Sequence, residues 1–204
     1  MDAMMPSRRA RGRASQIFDR LVSSPANYHA VLVVDLFGAA AFLLIGLHTP
    51  MPAMARAAAI AAGFAAWGFL EYALHRWLGH GPPSIGRRGH AMHHAHDTAP
   101  VAAPVFVVMA GTFVIWAQLA FLIGSGMAAL IVCGIYIGYN HYALVHHVLH
   151  HHEALAARIG LARIRRCHRV HHEYHDVNFG VTSSLWDRIF GTYRPEIFSK
   201  TSRS

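Results

Sequence analysis

Four long apolar runs alternate with polar connections along the chain, at residues 30–47, 55–74, 101–123 and 127–145. Each is close to the ~20 residues that a helix needs to cross the hydrocarbon core of a bilayer. Isolated strands are a poor reading, because they would leave backbone groups unpaired in lipid. The pattern predicts four transmembrane helices in a single membrane domain. The links at 49–54 and 124–126 are short and contain no Lys or Arg, whereas the remaining connections and both ends of the chain are rich in basic residues. By the bias of basic residues toward the cytoplasm, the N-terminus, residues 75–100 and residues 146–204 are expected inside, with the two tight turns outside.

Composition agrees with this reading. The 204 residues are 54% hydrophobic and only 14% charged, against roughly a quarter charged in a soluble domain. The formal charge of +8 flanks apolar segments and reads as membrane orientation and headgroup contact; no nucleic-acid motif accompanies it. Cys133 and Cys167 form no CxxC pair and suggest no disulfide framework. Residues 1–28 carry Arg8, Arg9, Arg11, Arg13 and Arg20, and are expected to form a basic, flexible or interfacial arm. Asp35, inside the first apolar run, is expected to face a polar partner in the bundle.

Histidine changes the picture most. Of 18 histidines, 16 lie between His75 and His175, and every histidine-rich segment falls on the side assigned to the cytoplasm. His75 and His80 are five residues apart, which on an ideal helix leaves their rings about 140° apart. They can share a site only if the helix opens near Gly79. His90, His93 and His94 occupy positions i, i+3 and i+4 on one helical face, and His168, His171 and His172 repeat that spacing. His146 pairs with His150 and His147 with His151, both at i, i+4, but the two pairs point about 100° apart. Spacing alone does not choose between them. About ten imidazoles exceed the needs of one ion, so two are implied. Imidazole suits zinc, copper, nickel and iron alike. A catalytic zinc uses three protein ligands and one open position, so a redox pair of irons that activates O2 fits the number better, with zinc able to occupy the same rings in purified material. A metal transporter would place ligands near the bilayer midplane, and here the middles of the apolar runs lack histidine. A zinc hydrolase is the other rival, separable by the oxygen dependence of turnover.

The segments HRWLGH (75–80), HAMHH (90–94), YALVHHVLHH (142–151) and HRVHH (168–172), with the tail from Asn178 to Tyr193, resemble the membrane fatty acid hydroxylase and sterol desaturase superfamily over about residues 60–195. The resemblance implies an all-α integral membrane fold: about four transmembrane helices under a cytoplasmic helical cap holding a His-rich dinuclear metal site. It favours His146 and His150 as ligands and leaves His147 and His151 as neighbours. It implies His75, His80, His90, His94 and His171 around one metal, and His93, His146, His150, His168 and His172 around the other. Glu71, His96, His147, His151 and His175 are expected to support the ligands rather than bind. The implied domain is 29–195, with a flexible tail at 196–204. The implied activity is O2-dependent hydroxylation of a fatty acyl or sterol-like membrane lipid by two Fe ions. Desaturation or carotenoid hydroxylation on the same site are the alternatives, and a metal-handling membrane protein a more distant one. No cytochrome-b5-like segment occurs in this sequence, so electrons are expected from a separate donor: a cytochrome-b5-like protein, a ferredoxin or a reductase. The expected location is the inner or plasma membrane of a bacterium.

Overall fold

The computed structural model describes residues 12–195; positions 1–11 of the expected arm and the expected tail at 196–204 lie outside the described residues. All regular structure among the described residues is helical. Four helices are long and apolar enough to span a membrane: α2 (Pro25–Leu47), α3 with its extension (Ala53–Gly79), α5 (Val105–Ile123) and α6 (Ser125–His151). The first begins earlier than hydropathy indicates, because Ser24 caps it by accepting from the Asn27 N–H and Pro25 sits in its first turn. The third begins later, at Val105 rather than 101. Residues 101–104 stay extended, held by Asn27, whose amide donates to the Ala102 and Ala103 carbonyls and accepts from the Val105 N–H.

The helix α6 is central and packs on α2, α3 and α5. Contact with α3 is backbone-close at Gly63 and Gly134, where an added Cβ would lie 1.9 Å from the Ile131 carbonyl oxygen and 2.1 Å from that of Ile60. Small residues allow this approach where lipid offers no hydrophobic drive to association. The outer helix α5 buries none of its residues, and Phe106, Phe113 and Phe121 face outward, as lipid-facing side chains do. Asp35 is fully buried beside Tyr136 and Tyr139, yet neither carboxylate oxygen has a hydrogen-bond partner among the described residues. Asp35 thus faces two phenol-bearing side chains, as expected of a polar neighbour, without a hydrogen bond to either among the described residues.

Beyond the bundle lie α1 (Arg13–Val22), α4 (Ile85–Ala95), α7 (Glu153–Arg158), α8 (Ala162–Glu173) and α9 (Leu185–Ile189). Where a flexible arm is expected, residues 13–22 form a docked helix. Val22 is buried, its carbonyl accepts from the Ala102 N–H, and Asp19 pairs with Arg88 at 2.5 Å. The short α9 leaves Leu185 and Ile189 exposed, while Trp186 packs on Phe69 and Phe190 stacks on Tyr72.

Candidate metal centre

The first histidine pair is joined by a change in helix type. Residues Leu74–Gly79 form a π-helical turn, closed by the His80 N–H donating to the His75 carbonyl at 3.1 Å. Widening the turn to i→i+5 brings rings five residues apart onto one side, with centroids 5.3 Å apart. The helix widens rather than opening, as the spacing argument required. The chain leaves this turn past Gly81, where a Cβ would lie 1.8 Å from the Trp77 carbonyl oxygen. Ser84 then caps α4 by accepting from the Arg87 N–H, and α4 presents His90, His93 and His94. The inward face at the end of α6 presents His146 and His150, and α8 presents His168, His171 and His172.

Ten imidazoles converge in two groups. His75, His80, His90, His94 and His171 form one, and His93, His146, His150, His168 and His172 form the other; within each, one nitrogen from every ring lies within 4.8 Å of the others. In the first, Nε2 of His75 is 3.0 Å from that of His90, His90 is 2.8 Å from His80, and His80 is 3.1 Å from His171. In the second, His150 Nε2 is 3.0 Å from that of His146 and 2.8 Å from that of His168, and the buried His93 Nε2 has no hydrogen-bond partner among the described residues.

This arrangement fits a cation in each group. His75 Nδ1 donates to the Phe179 carbonyl at 2.5 Å and His171 Nδ1 to the Val177 carbonyl at 2.8 Å. With the proton held on Nδ1, each Nε2 is a bare lone pair. Lone pairs facing one another at hydrogen-bond distance repel unless a positive charge lies between them. Nitrogens bound at 2.0–2.1 Å and at right angles around one ion would themselves be about 2.9 Å apart, which is the spacing found.

Burial keeps these rings neutral. Desolvation, followed by repulsion from neighbouring imidazoles, holds His93 down to about 3 and His172 down to about 4, and pushes His90, His94, His168 and His171 well down too. Neutral imidazoles are ready to bind metal without first losing a proton. In the unfolded chain each ring returns to its ordinary 6.5. Below that pH the unfolded chain binds more protons than the folded one, so stability falls with pH. The metal-free protein is expected to hold a constant thermal midpoint from pH 8 to about 6.5 and to lose stability steadily from there toward pH 4. A midpoint flat across that acid range would contradict the burial of neutral rings.

The supporting residues sit differently from one another. Glu71 is buried and accepts from the Val181 and Thr182 N–H groups and the Thr182 hydroxyl. It thereby holds the loop whose Phe179 carbonyl receives His75. His175 packs against His94 at 4.6 Å between ring centroids. His147 and His151 stack on each other, 4.4 Å apart, on the exposed side of α6, and His96 is exposed at the end of α4. Sequence reasoning missed Asp97, whose carboxylate lies 3.7 Å from His150 Nδ1. It also assigned no role to Asn178 and Asp187. Asn178, at φ 53°, bonds the Cys167 and Arg194 carbonyls, and Asp187 accepts from the Phe179 and Gly180 N–H groups.

A sequence profile of the fatty acid hydroxylase family matches residues 60–192, which include all ten converging histidines. The chain belongs to that family. It is 32% identical over 147 residues to a dihydroceramide fatty acyl 2-hydroxylase of Arabidopsis thaliana, covering 65% of this chain and 59% of that protein. It is 31% identical over 145 residues to a delta(7)-sterol 5(6)-desaturase of Aspergillus fumigatus, covering 66% of this chain and 40% of that protein. The chain thus matches less than two thirds of either relative's length. Among solved structures it is similar to full-length scs7p, of which only the hydroxylase domain is visible, with a TM-score of 0.68, 26% identity and coverage of 83% of this chain and 68% of that one.

Proposed function

We propose that this protein is a membrane-bound oxidoreductase that hydroxylates a lipid, fatty acyl or sterol-like in character, at a centre formed by the two histidine groups. The observation that carries the reading is the convergence of ten imidazoles, five to a group, with bare Nε2 atoms facing inward. His75, His80, His90, His94 and His171 would hold one ion, and His93, His146, His150, His168 and His172 the other. Iron suits both imidazole ligation and O2 chemistry. When bound, an iron pair would supply the reduction of O2 that oxidises an unactivated C–H bond. The balance is R–H + O2 + 2e⁻ + 2H⁺ → R–OH + H2O, with the electrons drawn from a separate protein donor. Family kinship with a sterol desaturase favours one alternative outcome: loss of two hydrogens from adjacent carbons, with both oxygen atoms leaving as water.

The chain's own residues bind, orient and exclude water. The carbonyls of Val177 and Phe179 hold the proton on Nδ1 of His171 and His75, keeping Nε2 free. The buried Phe179 ring lies 5.7, 5.5 and 5.6 Å from the rings of His75, His80 and His171, shielding that side from water. Toward the bilayer, the Tyr142 ring stacks on His146 with Trp67 beside it. This aromatic floor suits the hydrocarbon of a lipid entering laterally from the membrane, its target carbon positioned against the histidines. The clustering of basic residues on the same side supports a centre at the cytoplasmic face.

Lipid mass spectrometry on cells expressing wild type or His172→Ala, supplied with an electron donor, tests the proposal. A lipid one oxygen heavier, present only with wild type, is the expected result. A lipid lighter by two hydrogens would establish desaturation instead. No difference with metal-loaded protein would refute both.

A further inference from the structure

The two histidine groups are alike in ligands but unlike in their surroundings. In the first, backbone carbonyls fix His75 and His171, and the loop that carries them is anchored by Glu71, Asn178 and Asp187. In the second, no ring donates to a backbone carbonyl among the described residues; the buried His168 Nδ1 has no hydrogen-bond partner there, as is also true of His94 Nδ1 in the first group, so the difference lies in the two carbonyl-held rings. Among the described residues, the carboxylate beside the second group is that of Asp97, which is 58% exposed and 3.7 Å from His150 Nδ1. His93 and His168 of the second group are buried, but the group borders the protein surface on one side. His150, His168 and His172 line a surface concavity of about 300 Å³, with Asp97, Arg169 and Glu173 among its other walls.

We propose that the second group is the exchangeable half of the centre. Its ion loads and leaves through this concavity, and Asp97 is the positioning carboxylate that steadies His150, while the ion of the first group is retained. The inference rests on the reading that each group holds one ion. Its physical basis is that a ring fixed at Nδ1 cannot swing away to release a metal, whereas a ring without such a partner can. At 3.7 Å Asp97 is beyond hydrogen-bond length and acts on His150 through charge. Its exposed side chain is free to close that gap once the ring carries a cation.

The test uses the full chain in detergent, loaded anaerobically with Zn²⁺ as a redox-silent stand-in and then challenged with excess chelator. Metal content is followed by elemental analysis. Two ions per chain are expected to leave in two phases, separated by about tenfold or more in rate. His172→Ala is expected to accelerate only the fast phase and His171→Ala only the slow one. Asp97→Asn is expected to speed the fast phase by about tenfold and leave the slow phase unchanged, with Asp97→Glu restoring the wild-type rate. Two ions leaving in one phase would overturn the proposal while leaving the two-ion reading intact. So would an Asp97→Asn variant with an unaltered fast phase, a measurement that does not depend on how the histidine variants fold. A wild type that takes up fewer than two ions would overturn the two-ion reading itself, and the proposal with it.

Discussion

Replacing His150 with alanine is expected to lower lipid oxidation by roughly 100-fold or more, whereas His151→Ala, one residue along, is expected to stay within about twofold of wild type. The contrast comes from the side of α6 on which each ring lies. His150 Nε2 sits 2.8 Å from that of His168, inside the second histidine group. His151 is exposed and, among the described residues, stacks on His147 and packs against His152. Alanine is a good helix former, so neither change disturbs the helix. The same comparison made with His146 and His147 should give the same split. Product measured by lipid mass spectrometry, alongside membrane abundance of each variant, decides it. Equal losses for His150→Ala and His151→Ala would mean that the assigned face of α6 is wrong.

That choice of face was the part of the centre that spacing left open, although the sequence held a signal for it. Tyr142, Val145 and Leu149 repeat at i, i+3 and i+7, the spacing of a buried stripe. His146 and His150 border that stripe, while His147 and His151 lie on the far side, next to the exposed Leu144. The spans themselves were legible because lipid demands long apolar runs and leaves few alternatives. Their ends were not, since those depend on single side chains such as Ser24 and Asn27. The π-helical turn at Leu74–Gly79 was also hidden. Spacing showed that an ideal helix could not bring His75 and His80 together, but nothing in HRWLGH distinguishes widening of the turn from its opening. Asp97 and Asp187 escaped because their partners are a ring 53 positions away and a loop that bends back on itself. No periodicity marks such contacts.

Asp187 bears the second large prediction. Its side chain is 1% exposed and accepts from three donors: the Phe179 N–H at 2.8 Å, the Gly180 N–H at 2.8 Å and the Thr192 hydroxyl at 2.7 Å. Asp187→Ala would leave two buried backbone N–H groups without an acceptor, at about 1–3 kcal/mol each. Roughly 3–5 kcal/mol of stability is expected to be lost, and a fall of about 10 °C in thermal midpoint with it. Asp187→Asn keeps one acceptor oxygen and should lose less. The consequence reaches the metal centre along a short covalent path. The residue whose N–H Asp187 fixes, Phe179, also supplies the carbonyl that holds His75 Nδ1. A loosened loop therefore frees His75 to turn, and the first histidine group should lose its ion faster while the second is little changed. A variant that melts early yet keeps both release rates would show that the loop stabilises the fold without orienting the ligands. Early melting together with faster release from the first group alone would make Asp187 the residue that ties folding of the C-terminal loop to metal retention.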